Sequence, residues 1–101
     1  MHDGPVKAFS EKEIAQFAAT LPLWAYDPNR RALYRKIEFD SFSEAIGAMM
    51  RIAIAAERTC HHPEWFNVYN QLEIWLTTHD AGGVSERDIA LAARIDHIAG
   101  M

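Results

Sequence analysis

The sequence predicts an α+β domain, a four-stranded antiparallel sheet with three helices on one face, in the order α-β-β-α-β-β-α. Three observations carry that prediction. A serine followed three residues later by an acid recurs at Ser10–Glu13, Ser41–Glu44 and Ser85–Asp88, and each pair marks a helix start. Leu72, Ile74 and Leu76 alternate with Glu73, Trp75 and Thr77, the period of two of a half-buried strand. Asp27-Pro28-Asn29-Arg30 is strong turn chemistry between two strand-like runs, so sequence neighbours pair as hairpins.

The first helix is expected over Glu11 to Thr20, with Ile14, Phe17 and Ala18 on one apolar face. It must stop near Leu21, because Pro22 disfavours helical geometry in the residue before it. Strands are expected over Leu23–Tyr26 and Ala32–Phe39. In the second, Leu33, Ile37 and Phe39 share one side and Tyr34, Lys36 and Glu38 the other. Arg35 breaks the apolar alternation, so it is either at an exposed edge or paired.

The long helix, Phe42 to Thr59, has apolar residues over more than one stripe: Phe42, Ile46, Met49, Met50, Ile52, Ala53, Ile54 and Ala56. One face packs on the sheet. The other, rich in Met, Ile and Ala, is left to meet another subunit, which predicts a homodimer or homotetramer through helix 42–59. The alternative is that alanines inflate the apparent width. Two more strands follow, over Phe66–Tyr69 and Leu72–Thr77. The last helix runs from Glu86 to Ile98, with Ile89, Leu91, Ala92, Ala93, Ile95 and Ile98 inward and Gly100 just past its end. Glutamate can close the cap box at the first two helix starts. The shorter Asp88 makes the third a weaker version.

A chain of 101 residues, half of them apolar, reads as one globular domain spanning 1–101. Its formal charge of −4 argues against a nucleic-acid footprint. The single cysteine, Cys60, excludes an intrachain disulfide and fits a reducing compartment. Met1–Phe9 lacks the apolar run of a signal peptide, and no segment approaches the roughly 20 apolar residues of a membrane span. A cytoplasmic protein with no membrane partner is the expectation.

Chemistry concentrates in two short segments, Cys60-His61-His62-Pro63-Glu64-Trp65 and Thr78-His79-Asp80-Ala81-Gly82-Gly83. They hold three of the five histidines, side chains able to take or give a proton near neutrality. Pro63 is expected to end the long helix and force His62 into extended geometry, so His61 and His62 point differently. Gly82-Gly83 would let the backbone approach a ligand closely. Glu57 stands one helical turn before His61, within reach of a carboxylate–imidazole contact. Three other readings compete. The histidines could be exposed turn residues without a role. Cys60, His61, His62 and His79 could hold zinc, but consecutive ligands chelate one tetrahedral ion poorly. Cys60 could be a nucleophile, but an adjacent histidine rarely reaches its own neighbour.

The run His61-His62-Pro63-Glu64-Trp65-Phe66-Asn67-Val68-Tyr69-Asn70, then Leu76-Thr77-Thr78-His79-Asp80, Gly82-Gly83-Val84-Ser85, Asp88 and Leu91-Ala92, resembles pterin-4a-carbinolamine dehydratases. The likeness extends over nearly the whole chain, element order included. It implies dehydration of 4a-hydroxytetrahydropterin to quinonoid dihydropterin in tetrahydrobiopterin recycling, alongside an aromatic amino acid hydroxylase, with no metal or organic cofactor. It also implies dimers or tetramers built through the long helix. Some animal members use that same helix surface as dimerisation cofactors of a homeodomain transcription factor.

By the same resemblance His61, His62 and His79 are the catalytic groups and line the pterin site. Pro63, Thr78, Asp80 and Ala81 frame the ring, with Glu57 and Trp65 as support behind them. His61 and His79 would serve as acid and base at the hydroxyl, while His62 orients the ring and handles N5. Cys60 departs from relatives that carry an acid there, which leaves the tuning of His61 to Glu57. Two rival functions follow from the same likeness: a non-catalytic dimerisation or regulatory module, and a pterin-related role in molybdopterin metabolism.

Overall fold

A computed structural model of the chain describes residues 6–100. The single-domain reading extends to residues 1–5 and 101, which lie outside the described residues. The elements are α1 (Glu11–Phe17), β1 (Ala25–Asp27), β2 (Ala32–Glu38), α2 (Phe42–Thr59), β3 (Glu64–Val68), β4 (Gln71–Leu76), a one-turn 3₁₀ helix (His79–Ala81) and α3 (Glu86–Ile98). The four strands form one antiparallel sheet in the order β1-β2-β4-β3. This is the α+β architecture and the element order the sequence predicts.

Local chemistry places each boundary. Asp27 closes the first hairpin turn, its Oδ1 accepting from the N–H groups of Asn29 (3.0 Å) and Arg30 (3.2 Å). The second hairpin turns on Tyr69-Asn70, with Tyr69 at φ 52°. Asn67 Nδ2 steadies that turn by donating to the carbonyls of Tyr69 and Gln71. α1 is shorter than the sequence suggests. It ends at Phe17, whose carbonyl accepts from both Thr20 and Leu21 N–H, so the last residues before Pro22 form turns. β1 starts two residues later than expected, at Ala25, and β3 two residues earlier, at Glu64. The alternation Glu64-Trp65-Phe66 is sheet-paired from its first residue, opposite Trp75.

The β2–β4 pairing sorts the faces: Leu33, Arg35 and Ile37 stand opposite Leu76, Ile74 and Leu72. Leu33, Ile37, Leu72, Ile74 and Leu76 meet Ile14 of α1, Ile52 and Ala56 of α2, and Leu91, Ala92 and Ile95 of α3 in one core. All three helices therefore pack on the same side. Ala45 and Ala48, fully buried, keep the sheet-facing stripe of α2 small. Ala93 departs from the prediction: it is exposed, and the inward face of α3 is completed by Asp88 and Asp96.

Asp96 resolves Arg35, which is paired. Arg35 Nη1 forms a short, largely buried ion pair with Asp96, and Trp24 Nε1–H donates to the same carboxylate oxygen at 2.9 Å. A charge that breaks strand alternation is thus matched by one on α3, seventy-two residues along the chain from Trp24.

α2 does present two faces. Ala45, Ala48, Ile52 and Ala56 are buried, whereas Phe42, Ile46, Met50 and Ile54 are exposed. No helix among the described residues is long and apolar enough to cross a membrane.

Candidate active site

The first wall of the site is made by the way α2 stops. Cys60 N–H bonds to the Glu57 carbonyl at 3.2 Å and His61 N–H to the Ala56 carbonyl at 3.1 Å, the paired bonds of a Schellman turn. Cys60 occupies its left-handed position (φ 52°, ψ 37°), where glycine is usual. That turn, three residues before Pro63, ends the helix. The expectation that Pro63 does so is corrected: the chain has already left helical geometry, and Pro63 only leads it into β3.

The second wall is the loop after β4. Thr78 and Gly83 pair as an isolated antiparallel bridge, with Thr78 N–H donating to the Gly83 carbonyl at 2.9 Å. The four-residue excursion closed by this bridge carries His79, Asp80 and Ala81 in a single 3₁₀ turn. Gly82 is required at its end, where φ is +78°. Gly83 serves packing: it is buried, and a Cβ there would lie 3.5 Å from that of Ala8. Neither glycine lies at the cleft between the walls, so the expected close approach of the backbone to a ligand there is not what they provide.

Between the walls is a cleft of about 350 Å³ lined by Cys60, His61, His62, Pro63, Glu64, Thr77, Thr78, His79 and Asp80. Of the residues singled out from sequence, His61, His62, Pro63, Thr78, His79 and Asp80 come together there. Ala81 ends the 3₁₀ turn and does not line the cleft. Trp65 stands on the helix side of β3, packed against the core.

Each of the three histidines meets its own carboxylate through Nε2. His61 lies 2.6 Å from Asp88 Oδ1, His62 2.8 Å from Glu57 Oε1, and His79 3.0 Å from Glu64 Oε2. The Glu57 contact therefore goes to His62, which corrects the expected one-turn contact with His61. The Schellman turn swings His61 off the α2 axis toward α3, leaving Glu57 to the next residue.

The three pairs differ in setting. Asp88 is completely buried, and its other oxygen accepts from Thr78 Oγ1 and Ser85 N–H, each at 2.8 Å. Three donors around one buried carboxylate compensate its charge. Since both Asp88 oxygens accept, His61 donates from Nε2, and its Nδ1 is the nitrogen left for a ligand. The other two pairs are open to solvent. Glu64 has a second partner, Arg30 Nη2 at 2.7 Å, whose guanidinium also lies 3.9 Å above the Trp75 ring. The Arg30 hydrogen bond, opposed by partial burial, holds the Glu64 carboxyl below the usual range.

Asp88 and Glu64 are the two residues that sequence reasoning left without a functional place. Asp88 stands in the sequence as the weakest of three caps and as one residue of the family likeness, with no role at the site. In the structure it closes a full reciprocal box with Ser85, while the second helix start, with glutamate in that place, has only the Ser41 half. No pattern links position 61 to position 88. Among the described residues no three His, Cys, Asp or Glu side chains meet as a metal-ligand set.

A cleft with imidazole nitrogens on two opposed walls, each backed by a carboxylate, is suited to moving protons on a small heterocycle. The family model for pterin 4 alpha carbinolamine dehydratase matches residues 7–98. A Burkholderia ambifaria protein provisionally named pterin-4-alpha-carbinolamine dehydratase is 58% identical over 78 residues, 77% of this chain and 76% of that protein. A similarly named Rhizorhabdus wittichii protein is 46% identical over 94 residues, 93% of this chain and 97% of that one. A crystal structure of a transcriptional coactivator/pterin dehydratase from Brucella melitensis superposes with TM-score 0.90 at 39% identity, covering 93% of this chain and all of that one. A pterin dehydratase-like protein identified as a RuBisCO assembly factor in the alpha-carboxysome has TM-score 0.66 at 27% identity, over 76% of this chain and 89% of its own. With the match spanning nearly every described residue, this chain belongs to the pterin 4 alpha carbinolamine dehydratase family.

Proposed function

We propose that the cleft dehydrates 4a-hydroxytetrahydropterin to quinonoid dihydropterin and water, by histidine general acid/base catalysis, in recycling the tetrahydrobiopterin spent by an aromatic amino acid hydroxylase. The observation that carries this is the convergence of His61, His62 and His79 on one cleft, each backed by a carboxylate. Family membership supports it.

The reaction breaks the C4a–O bond and needs one proton delivered to the departing hydroxyl and one removed from N5. The electron pair of the N5–H bond becomes the new C4a=N5 bond, so nothing is oxidised or reduced overall. Positioned acid/base groups typically contribute about 10²–10⁴-fold each. His61 and His79, on opposite walls, serve as acid and base at the hydroxyl, and His62 orients the ring and takes the N5 proton. Asp88 holds the His61 ring in one orientation, as second partners do for working histidines generally. Pro63, Thr78 and Asp80 frame the ring.

The test is the dehydration of freshly generated 4a-hydroxytetrahydropterin, followed by absorbance with and without a chelator. Acceleration that survives the chelator is expected. No acceleration by folded protein would overturn the reading in favour of a binding module, and chelator-sensitive activity would point to a metal at these histidines.

The exposed stripe Phe42, Ile46, Met50 and Ile54 favours a second copy of this chain as its cover, giving a homodimer or homotetramer. Ile54→Glu is expected to lower the mass measured by light scattering, and an unchanged mass would count against the stripe as the interface.

A further inference from the structure

On the far side of His61 from the histidine cleft lies a second groove, of about 470 Å³, between the end of α2 and the start of α3. Its lining is unusual for this protein. Arg58, Arg87 and Arg94 face it, with Ala55, Ala90 and Leu91 as an uncharged floor and no acidic residue among the lining. The chain has a net charge of −4; Arg30 is paired with Glu64 and Arg35 with Asp96. None of the three groove arginines has a carboxylate within 4.0 Å among the described residues.

The placement is dictated by two helices. Arg87 and Arg94 are seven residues apart on α3, two turns along one face, and Ala90 between them leaves the surface open. Arg58 comes from the last turn of α2, opposite them. His61 is the wall common to the groove and the cleft.

From this we infer that the groove is a phosphate-binding site, and that the phosphate belongs to the side chain of a pterin whose ring occupies the neighbouring cleft. Guanidinium groups present forked N–H donors that match phosphate oxygens in pairs, and three of them suit a doubly charged phosphate monoester better than a single carboxylate. The shared His61 wall makes one ligand spanning both spaces the nearest source. Only this assignment of the source rests on the pterin reading of the cleft; the anion site rests on the arginines themselves. The free-anion source, a polyphosphate unconnected to the ring, has the same chemistry and is separated by experiment.

The experiment titrates the full chain by calorimetry and amide NMR with three probes: inorganic tripolyphosphate, a pterin bearing a phosphate monoester on its side chain, and the same pterin dephosphorylated. The phosphorylated pterin is expected to bind about tenfold tighter than its partner, the effect of roughly one charge-assisted contact. Arg58→Gln/Arg94→Gln should abolish that difference and leave the affinity of the dephosphorylated pterin unchanged, which reports an intact cleft. Tripolyphosphate that shifts the Arg87, Ala90 and Arg94 amides without altering pterin affinity would establish the anion site and reassign its source to a free anion. Equal affinity for the two pterins, together with no groove shift by millimolar tripolyphosphate, would overturn the inference. If neither pterin binds, the pterin reading fails by itself, and the tripolyphosphate titration still decides the groove.

Discussion

The two walls of the cleft use one chemical device, a carboxylate on Nε2 of a histidine, in opposite surroundings. At His61 the device is sealed: the side chain is 8% exposed, that of Asp88 has no exposure, and Thr78 and Ser85 complete the carboxylate's bonds. At His79 it is open: the side chain is 80% exposed, and Glu64 is shared with Arg30. Burial converts such a pair into a fixed feature, because either partner left alone would be an uncompensated buried polar group. Exposure leaves the pair weak, salt-sensitive and adjustable. One wall therefore rests on a buried, fully bonded pair and the other on an exposed, shared one.

Removing Asp88 should break this contrast most severely. Asp88→Ala leaves His61, Thr78 and Ser85 N–H without their common acceptor, and a loss of about 3–5 kcal/mol in stability is expected. A urea midpoint close to that of the unaltered protein would show that the sealed wall is no stronger than the open one.

His62 tests the opening between the walls. It lies at the surface, so His62→Ala should leave fold and oligomeric mass intact while dehydratase turnover falls by at least about tenfold. Undiminished turnover would remove His62 from the proposed chemistry.

The smallest effect is expected from Arg30. Its hydrogen bond keeps the folded-state Glu64 carboxyl below its unfolded value, so the stabilisation is present above the usual carboxylate range and lost as pH falls through the lowered value. Arg30→Ala should move the Glu64 titration upward, so the His79–Glu64 contact is lost at higher pH than before. A carboxyl ¹³C titration reads this directly, and an unmoved Glu64 curve would mean that Arg30 does not tune the open wall. Overall stability should barely change, since both side chains are substantially exposed. On the sheet beside them, Tyr34 shows how such local bonds act: donation to Glu73 Oε1 at 2.7 Å, followed by burial, pushes its hydroxyl up to about 12.

Much of the fold is legible because its signals are local. Ser41 and Cys60 bracket α2 at the residues expected, and Leu72, Ile74 and Leu76 are fully buried as their alternation requires. Errors fall where a boundary depends on something other than nearest neighbours. α1 stops at Phe17 through turns that no residue type announces, and β3 begins at Glu64 because β4 offers it a partner. In the candidate site, His61, His62 and His79 are legible from residue type and clustering, while Pro63, Thr78 and Asp80 are reached through the family resemblance. Asp88 and Glu64 are not legible as site residues, because a capping acid and a strand acid look the same on paper whatever they face.

The sequence by itself determined the element order, the hairpins, the long two-faced helix and the two histidine segments, since capping, periodicity and turn chemistry act within a few residues. Only the tertiary structure decided which carboxylate each histidine meets, that Arg35 is answered by Asp96, and that three arginines face one groove behind His61. His61–Asp88 and Arg35–Asp96 join residues 27 and 61 apart in the chain, and burial, rather than local preference, selects them: a charge enclosed by the core must find whichever partner the packed helices and sheet bring to it.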